Sequence, residues 1–215
     1  MRILTGAQVA KADLVGWVQL GNGLHTRVAT PDFATGLAFV NAISDPAVAA
    51  KRVPDVGLHD SRVDIAVTNH DASGVSEREI VLARTIMQLA AAAGLTLDGS
   101  GVSRINLALD TPARQDVLPF WRALLAYEDR PGTGKVVRDP AGRLPSVWFQ
   151  TSGSDEPRQR WHLDVWIDPS QVQPRIGACL EAGGRVVDDT HAPAGWVLAD
   201  PEGNRSCLAT WQGRD

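Results

Sequence analysis

The chain has 215 residues, a formal net charge of −4 and 44% hydrophobic residues, a composition typical of a globular protein with one or two domains. It contains no block of basic residues, so we expect neither nucleic acid nor an anionic membrane as a partner. Its two cysteines, Cys179 and Cys207, suit a reducing compartment. Because no signal-peptide pattern follows Met1 and no apolar run is long enough to span a bilayer, we expect a cytoplasmic protein.

The first part of the chain, residues 1–97, has the pattern of a small α+β domain. Its strands are predicted from alternating apolar residues, and its helices from capping residues followed by an apolar stripe. In chain order, the predicted elements are two short strands between Trp17 and Arg27, a helix from Asp32 to about Ile43, a strand around Val63–Val67, and a helix that begins with the Ser76/Glu79 capping box and ends at Ala93. Residues 98–101, rich in glycine and serine, are predicted to link it to a second domain, residues 102–215.

Short motifs between Phe33 and Gly94 resemble pterin-4a-carbinolamine dehydratases. The motifs are Pro54-Asp-Val56, Asn69-His-Asp71, Gly74-Val-Ser76 and Leu82-Ala-Arg84. The resemblance implies dehydration of a 4a-hydroxytetrahydropterin by histidines that act as general acids and bases, because imidazole titrates near neutral pH.

This chain departs from the dehydratase pattern at the residues that carry the chemistry. Arg52 and Val53 stand where the family has a His-His pair, and neither side chain transfers protons at neutral pH. His70 is the one histidine that keeps its place, either as the sole remaining proton carrier or as a residue that satisfies hydrogen bonds in a turn. We therefore expect a dehydratase-like domain without dehydratase activity, in which Arg52 alternatively binds an anionic ligand.

One pattern occurs twice in the second half of the chain. Asn106 precedes His162 by 56 positions, and Asp139 precedes Asp200 by 61 positions. At each copy an alternating strand leads to an amphipathic helix, Val117–Ala126 in the first copy and Val172–Ala182 in the second. This repetition predicts two copies of one β-α-β unit that bury their apolar faces together.

Alternation along these strands separates an aliphatic face from a mixed face. We expect the aliphatic faces to lie under the helices, with Trp121 in the core, and the mixed faces to line a cup. A concave wall of large aromatic and a few polar side chains suits a small organic ligand. The predicted ligand-binding residues are Asn106, Trp148, Gln150, His162, Asp164, Trp166, Arg205 and Cys207.

The second half also resembles the glyoxalase-like branch of the vicinal oxygen chelate (glyoxalase and bleomycin resistance) superfamily over about residues 102–212. The matching segments include Phe120-Trp-Arg-Ala-Leu-Leu125, Arg160-Trp-His-Leu-Asp164 and Trp196-Val-Leu-Ala-Asp-Pro-Glu-Gly-Asn204. The resemblance implies two βαβββ modules that form one cup, and a divalent metal held by one residue from each of four strands. The corresponding residues here are Asn106, Gln150, His162 and Cys207, a set with no coherent metal preference.

The sequence leaves three functions open. The first is binding of a small organic ligand in the cup with no cofactor and no complete metal site. The second is a metal-dependent lyase or oxygenase, with a divalent metal held by His162, Gln150 and a carboxylate such as Asp164. The third is pterin dehydration through His70. Whether the protein is an enzyme stays open, and we expect the first domain to serve another purpose, such as formation of a homodimer or cover for one side of the cup.

Overall fold

The computed structural model describes residues 2–69, 74–130, 133–151, 161–199, 203 and 205–214. The predicted site residue His70 and the polar stretch 152–160 lie outside these ranges. By internal contacts the chain divides into two compact units. The first comprises Met1–Ser103, Ile167–Val172 and Thr210–Asp215, and the second comprises Arg104–Trp166 and Gln173–Ala209.

The first unit is an antiparallel sheet with helices, as the sequence predicts. Its elements are α1 Gly6–Ala10, β1 Val18–Leu20, β2 Gly23–Ala29, α2 Phe33–Ala50, β3 Asp55–Leu58, β4 Arg62–Thr68, α3 Glu77–Ala92 and β5 Leu97–Asp98. The strand order is β1-β2-β4-β3, and β5 also pairs with β2. Asp98, the first residue of the predicted linker, therefore belongs to a strand, opposite Arg27.

Helix α2 is longer than the sequence predicts. We expected it to end near Ile43, before Ser44-Asp-Pro46, but it continues through Pro46 to Ala50. Its buried residues Gly36, Phe39, Ile43 and Ala47 recur at helical spacing and belong to the core side of the unit. Within the described residues, α2 is the one helix whose length and apolar composition would allow it to cross a membrane. Core helices of globular proteins often have the same length and composition.

The second unit consists of two βαβββ modules that share one sheet. The first module contains β6 Arg104–Thr111, α4 Arg114–Leu125, β7 Glu128–Asp129, β8 Val136–Arg138 and β9 Val147–Thr151; the second contains β10 Trp161–Trp166, α5 Val172–Glu181, β11 Arg185–Asp188, β12 Gly195–Ala199 and β13 Arg205–Ala209. A short 3-10 helix, Pro169–Gln171, precedes α5 in the chain and belongs to the first unit. The strand order of the sheet is β11-β12-β13-β10-β6-β9-β8-β7. In each module the first strand lies at the centre of the sheet, and the last, third and second strands follow it toward the edge.

The register at the centre of the sheet matches the sequence repeat. Strands β6 and β10 are antiparallel, and Leu107 pairs with Leu163. These two residues are 56 positions apart, which is the spacing between Asn106 and His162. The two modules are therefore related by an approximate two-fold axis that passes through the Leu107–Leu163 pair.

The two faces of this sheet differ in burial. On one face, Leu109, Val147 and Phe149 form a core cluster to which Trp121 of α4 and Trp161 contribute. The rings of these two tryptophans meet edge to face at 5.0 Å, as expected for a core position of Trp121. The expectation that the whole aliphatic face is covered is wrong, because Ile105 is 41% exposed and Leu163 is 39% exposed. Helix α4 contacts β9, whereas Ile105 and Leu163 lie on the two central strands, β6 and β10.

Candidate functional site

The strand register places the predicted ligand-binding residues on one face of the second sheet. Side chains directly opposite on paired strands point to the same face. Asp164 pairs with Asn106 on one side and with Cys207 on the other. Ala108 pairs with both His162 and Trp148, and Asp110 pairs with Gln150. Strand alternation adds Trp166 and Arg205. We call this surface the cup face; it includes Asn106, Asp110, Trp148, Gln150, His162, Asp164, Trp166, Arg205 and Cys207.

Three of these residues meet in one half-buried group. A ring nitrogen of His162, a carboxylate oxygen of Asp164 and the Sγ atom of Cys207 all lie within 4.8 Å of one another. The Nδ1 atom of His162 is 3.2 Å from Oδ1 of Asp164, and the two side chains are 16% and 15% exposed. We call these three residues the His-Asp-Cys group. Strand β10 supplies two of its members at alternate positions, and β13 supplies the third across the sheet.

The surroundings of His162 favour its charged form. Its pKa is raised from 6.5 to about 10, first by the Asp164 carboxylate and next by the Cys207 sulfur, while burial acts in the opposite direction. On the other side of the ring, Nε2 is 3.6 Å from Oδ1 of Asp110. That oxygen is buried and makes no hydrogen bond within the described part of the chain. At neutral pH the cup face therefore presents an imidazolium between two carboxyl groups.

Trp148 is part of the same arrangement. Its Nε1 atom donates a 2.7 Å hydrogen bond to Oδ2 of Asp164, and its ring meets the His162 ring edge to face at 6.4 Å. Asp164 thus contacts Trp148 through one oxygen and His162 through the other. Trp148 is therefore not simply a core residue. Its hydrogen bond to Asp164 holds the indole ring beside the charged His162 side chain, where it forms a wall of the cup face.

A cationic region that our sequence reasoning did not single out lies toward the β7–β8 side of the same sheet. Burial lowers the pKa of the Arg130 guanidinium, and the charges of Arg104 and Arg138 lower it further. Arg138 donates a 2.9 Å hydrogen bond to Glu128. Arg104 lies two residues before Asn106, so strand alternation already indicates that it shares the cup face. Arg130 follows a two-residue strand, which no alternating pattern indicates.

Two of the four candidate metal positions, His162 and Cys207, belong to the His-Asp-Cys group. His162 and Cys207 lie together, but their third close neighbour is Asp164, whereas Gln150 is exposed and pairs with Asp110. Imidazole, thiolate and carboxylate are all ligands of Zn²⁺, which in catalytic sites is held by three protein groups and water. The His-Asp-Cys group thus has the donor chemistry for one such ion, although not through the four predicted positions.

In the first unit, Arg52 has a structural partner. Its Nε atom donates a 2.5 Å hydrogen bond to Oε1 of Glu79, whose side chain is fully buried. The backbone N–H of Ser76 donates to the other oxygen of Glu79 at 2.7 Å, and the Ser76 hydroxyl donates to it as well. The residue that stands in the place of the dehydratase histidines is thus part of a buried ion pair at the start of α3, and we expect it neither to transfer protons nor to need an anionic ligand.

Together, the fold and the cup face define a protein with two α+β units, one dehydratase-like and one built from paired βαβββ modules. The comparisons with known proteins confirm both resemblances and their order. The family model for pterin 4 alpha carbinolamine dehydratase matches residues 3–89, and the model for a glyoxalase-like domain matches residues 106–209. Through its first unit the chain belongs to the pterin-4a-carbinolamine dehydratase family, and its second unit matches the model for a glyoxalase-like domain.

The curated relatives match the first unit. A protein of Thermosynechococcus vestitus named "Putative pterin-4-alpha-carbinolamine dehydratase" is 39% identical over 79 residues, which are 37% of this chain and 83% of that protein. A protein of Thermomicrobium roseum with the same name is 35% identical, over 36% of this chain and 84% of that protein.

Two solved structures are similar to one part of the chain each. A transcriptional coactivator/pterin dehydratase from Brucella melitensis has 25% identity and a TM-score of 0.40, over 41% of this chain and 99% of that chain. A glyoxalase/bleomycin resistance protein/dioxygenase superfamily member from Vibrio splendidus 12B01 has 10% identity and a TM-score of 0.35, over 51% of this chain and 99% of that chain.

Proposed function

We propose that the second unit binds a small organic ligand on the cup face, and that this ligand has a flat conjugated part and an anionic substituent. The observation that carries the proposal is the fixed wall formed by Trp148, Asp164 and His162, which places an indole beside a half-buried imidazolium. Flat conjugated groups stack on indole rings, and few polar groups on an otherwise apolar wall provide orientation.

The preference for an anionic substituent follows from the charges at one side of this face. Arg104 and Arg130 are half-buried, and Arg138 is close enough for its charge to lower the pKa of Arg130. Guanidinium groups bind carboxylate and phosphate oxygens in a bidentate geometry that a lysine does not reproduce. A ligand that spans both regions would place its anionic end near these arginines and its conjugated part near Trp148.

The proposal is tested with pairs of aromatic carboxylates and their neutral amides, by ligand-induced changes in melting temperature and then by calorimetric titration. We expect the carboxylates to bind more tightly than the amides, and Trp148→Phe to weaken binding about tenfold through loss of the bond that fixes the wall. Trp196→Phe is the matched control, because Trp196 alternates with Val197, the partner of Cys207, and so lies on the opposite face of the sheet. Equal effects of the two substitutions would argue against the cup face as the binding surface.

A metal-dependent lyase or oxygenase is the second candidate, and the proximity of Asp164 to His162 and Cys207 favours it. We would measure the metal content of protein purified without chelators or metal-binding tags, beside His162→Ala. Stoichiometric metal that is lost in the variant would rank this candidate first. Pterin dehydration is the third candidate. The names of the relatives support it, whereas the engagement of Arg52 by Glu79 argues against it.

A cytoplasmic location, no nucleic-acid or membrane partner, and a homodimer formed through the first unit stay predictions. Residues 102–215 produced alone test the last of these. A fragment that is still dimeric and still binds the aromatic carboxylates would show that the first unit neither dimerises the chain nor covers the cup.

A further inference from the structure

Cys207 differs from an ordinary partly buried cysteine in its neighbours. It is half-buried, pairs with Asp164 across the sheet, and shares the His-Asp-Cys group with His162. A thiol reacts as its thiolate, and an adjacent imidazolium stabilises that form. Carboxyl groups also flank both nitrogens of the ring, because Oδ1 of Asp164 lies 3.2 Å from Nδ1 and Oδ1 of Asp110 lies 3.6 Å from Nε2. Activated nucleophiles commonly have such a third group beside the imidazole.

We propose that Cys207 is a nucleophile that bonds covalently to an electrophilic ligand in the cup, namely an α,β-unsaturated carbonyl compound or a similar conjugated acceptor. The inference rests on the proposed function, because it requires that the cup face hold a small organic molecule. Trp148, fixed by Asp164 and in edge contact with His162, supplies a surface for the flat conjugated part of such a ligand.

The reaction needs no oxidant and no second substrate. In the reacting form the sulfur of Cys207 is ionised and the imidazole of His162 carries a proton. The sulfur forms a bond to the β-carbon of the ligand, and the electron pair of the carbon–carbon double bond moves toward the carbonyl group as an enolate. The imidazolium then gives its proton to the α-carbon, so that the net change is addition of S–H across the double bond.

The charges around the sulfur act in opposite directions. Asp164 lies directly across the strand pair from Cys207 and opposes a negative sulfur, and Asp110 adds to this effect from the far side of the ring. The same two carboxyl groups favour the imidazolium, which attracts the thiolate. The proposal therefore makes His162 the residue on which the reactivity of Cys207 depends.

The test uses the full-length protein and N-phenylmaleimide, a flat aromatic conjugated acceptor, with labelling of each cysteine followed by peptide mass spectrometry. Cys179 on α5 is the internal reference in the same molecule. We expect Cys207 to react at least about tenfold faster than Cys179, since the thiolate fraction of an ordinary thiol at neutral pH is only a few per cent. His162→Gln should remove this advantage and leave the rate of Cys179 unchanged.

His191→Gln is the matched control, because His191 is exposed and lies in a turn before β12. Hydrogen exchange of peptides from β10 and β13 shows whether each variant keeps its fold. Equal rates at the two cysteines in the wild-type chain, or an advantage of Cys207 that persists in a folded His162→Gln protein, would overturn the proposal. A third outcome would also overturn it: stoichiometric zinc blocks Cys207, and after the zinc is removed Cys207 reacts no faster than Cys179.

Failure of this inference and failure of the proposed function give different results. If the aromatic carboxylates bind and Cys207 is slow, the cup binds ligands without covalent capture, and only the inference fails. If Cys207 is fast but its rate increases linearly with maleimide concentration, with no saturation and no binding of the carboxylates, ligand binding fails and the covalent-capture proposal fails with it. Saturation of the rate, with reactivity dependent on His162, supports both.

Discussion

Removal of one partner from the buried ion pair between Arg52 and Glu79 should destabilise the first unit, because it leaves a buried charge without its counter-charge. The Glu79 carboxylate is 0% exposed and receives one hydrogen bond from Arg52 and two from Ser76. Arg52→Met keeps much of the side-chain volume and removes one of these three donors together with the positive charge that faces Glu79. Loss of one member of a buried pair costs about 3–5 kcal/mol when the remaining charge has no other donor.

The two hydrogen bonds from Ser76 reduce this cost. Arg52 itself is 12% exposed, so part of its desolvation is recovered on removal. We therefore expect Arg52→Met to lower the free energy of unfolding of the first unit by about 2–3 kcal/mol. Arg62→Met is the control, because Arg62 forms an exposed ion pair with Asp64, which keeps Arg27 as a second partner. Such pairs contribute about 0–1 kcal/mol.

Native-state hydrogen exchange with mass spectrometry measures this difference for each unit separately. Peptides from α3 and β4 report on the first unit, and peptides from β9 and β10 serve as a reference within the same molecule. An expected loss of 2–3 kcal/mol corresponds to protection that is lower by roughly 30- to 150-fold, since about 1.4 kcal/mol is a factor of ten. If Arg52→Met changes α3 protection no more than Arg62→Met does, the ion pair is not the stabilising element described above.

Three further predictions concern other parts of the molecule. Because the pKa of His162 is raised from 6.5 to about 10, its contribution to stability is complete below pH 6.5 and is lost as the pH rises through about 10. Protection of β10 amides should therefore decrease over this range in the wild-type chain and change less in His162→Gln. Gly16→Ala should destabilise the first unit by about 2–4 kcal/mol, since φ is +79° and the new Cβ would lie 2.5 Å from Cβ of Leu97. The control Gly94→Ala, with φ +68° and no atom within 4 Å of the new Cβ, should cost about 1 kcal/mol. Similar melting temperatures for the two variants would contradict the steric argument. Finally, the full-length protein should dehydrate 4a-hydroxytetrahydropterin no faster than the uncatalysed reaction in a spectrophotometric assay, and a rate that responds to His70→Ala would show that the activity survives.

Local patterns in the sequence were sufficient to predict much of this fold. The Ser76/Glu79 capping box marks the start of α3, and the structure shows both of its hydrogen bonds. Alternation along β6 and β10 separates the two faces because side chains on a strand point to opposite sides. The end of α2 was not predictable in the same way. Ser44-Asp-Pro46 is typical of a turn, and only the burial of Ala47 in the core favours continuation of the helix.

The grouping of the site residues depends on contacts between distant parts of the chain. Cys207 lies next to Asp164 because β13 pairs with β10 in parallel, and no local pattern fixes that pairing or its register. Likewise, the sequence shows that Arg52 replaces a histidine but does not identify Glu79, 27 residues later, as its partner. Sequence alone therefore indicated which residue types face the cup, whereas the pairing of strands determined which of them meet.

The approximate two-fold axis through Leu107 and Leu163 has a stereochemical consequence. The axis relates His162 to Asn106 and Asp164 to Ala108, so that the pair His162–Ala108 in one half corresponds to Asn106–Asp164 in the other. If the two copies had kept the same residues, a planar ligand on the axis could bind in two equivalent orientations. The divergence leaves one orientation with the imidazolium and the sulfur near the same end of the ligand. Addition to a ligand that becomes chiral on reaction should then give mainly one diastereomer.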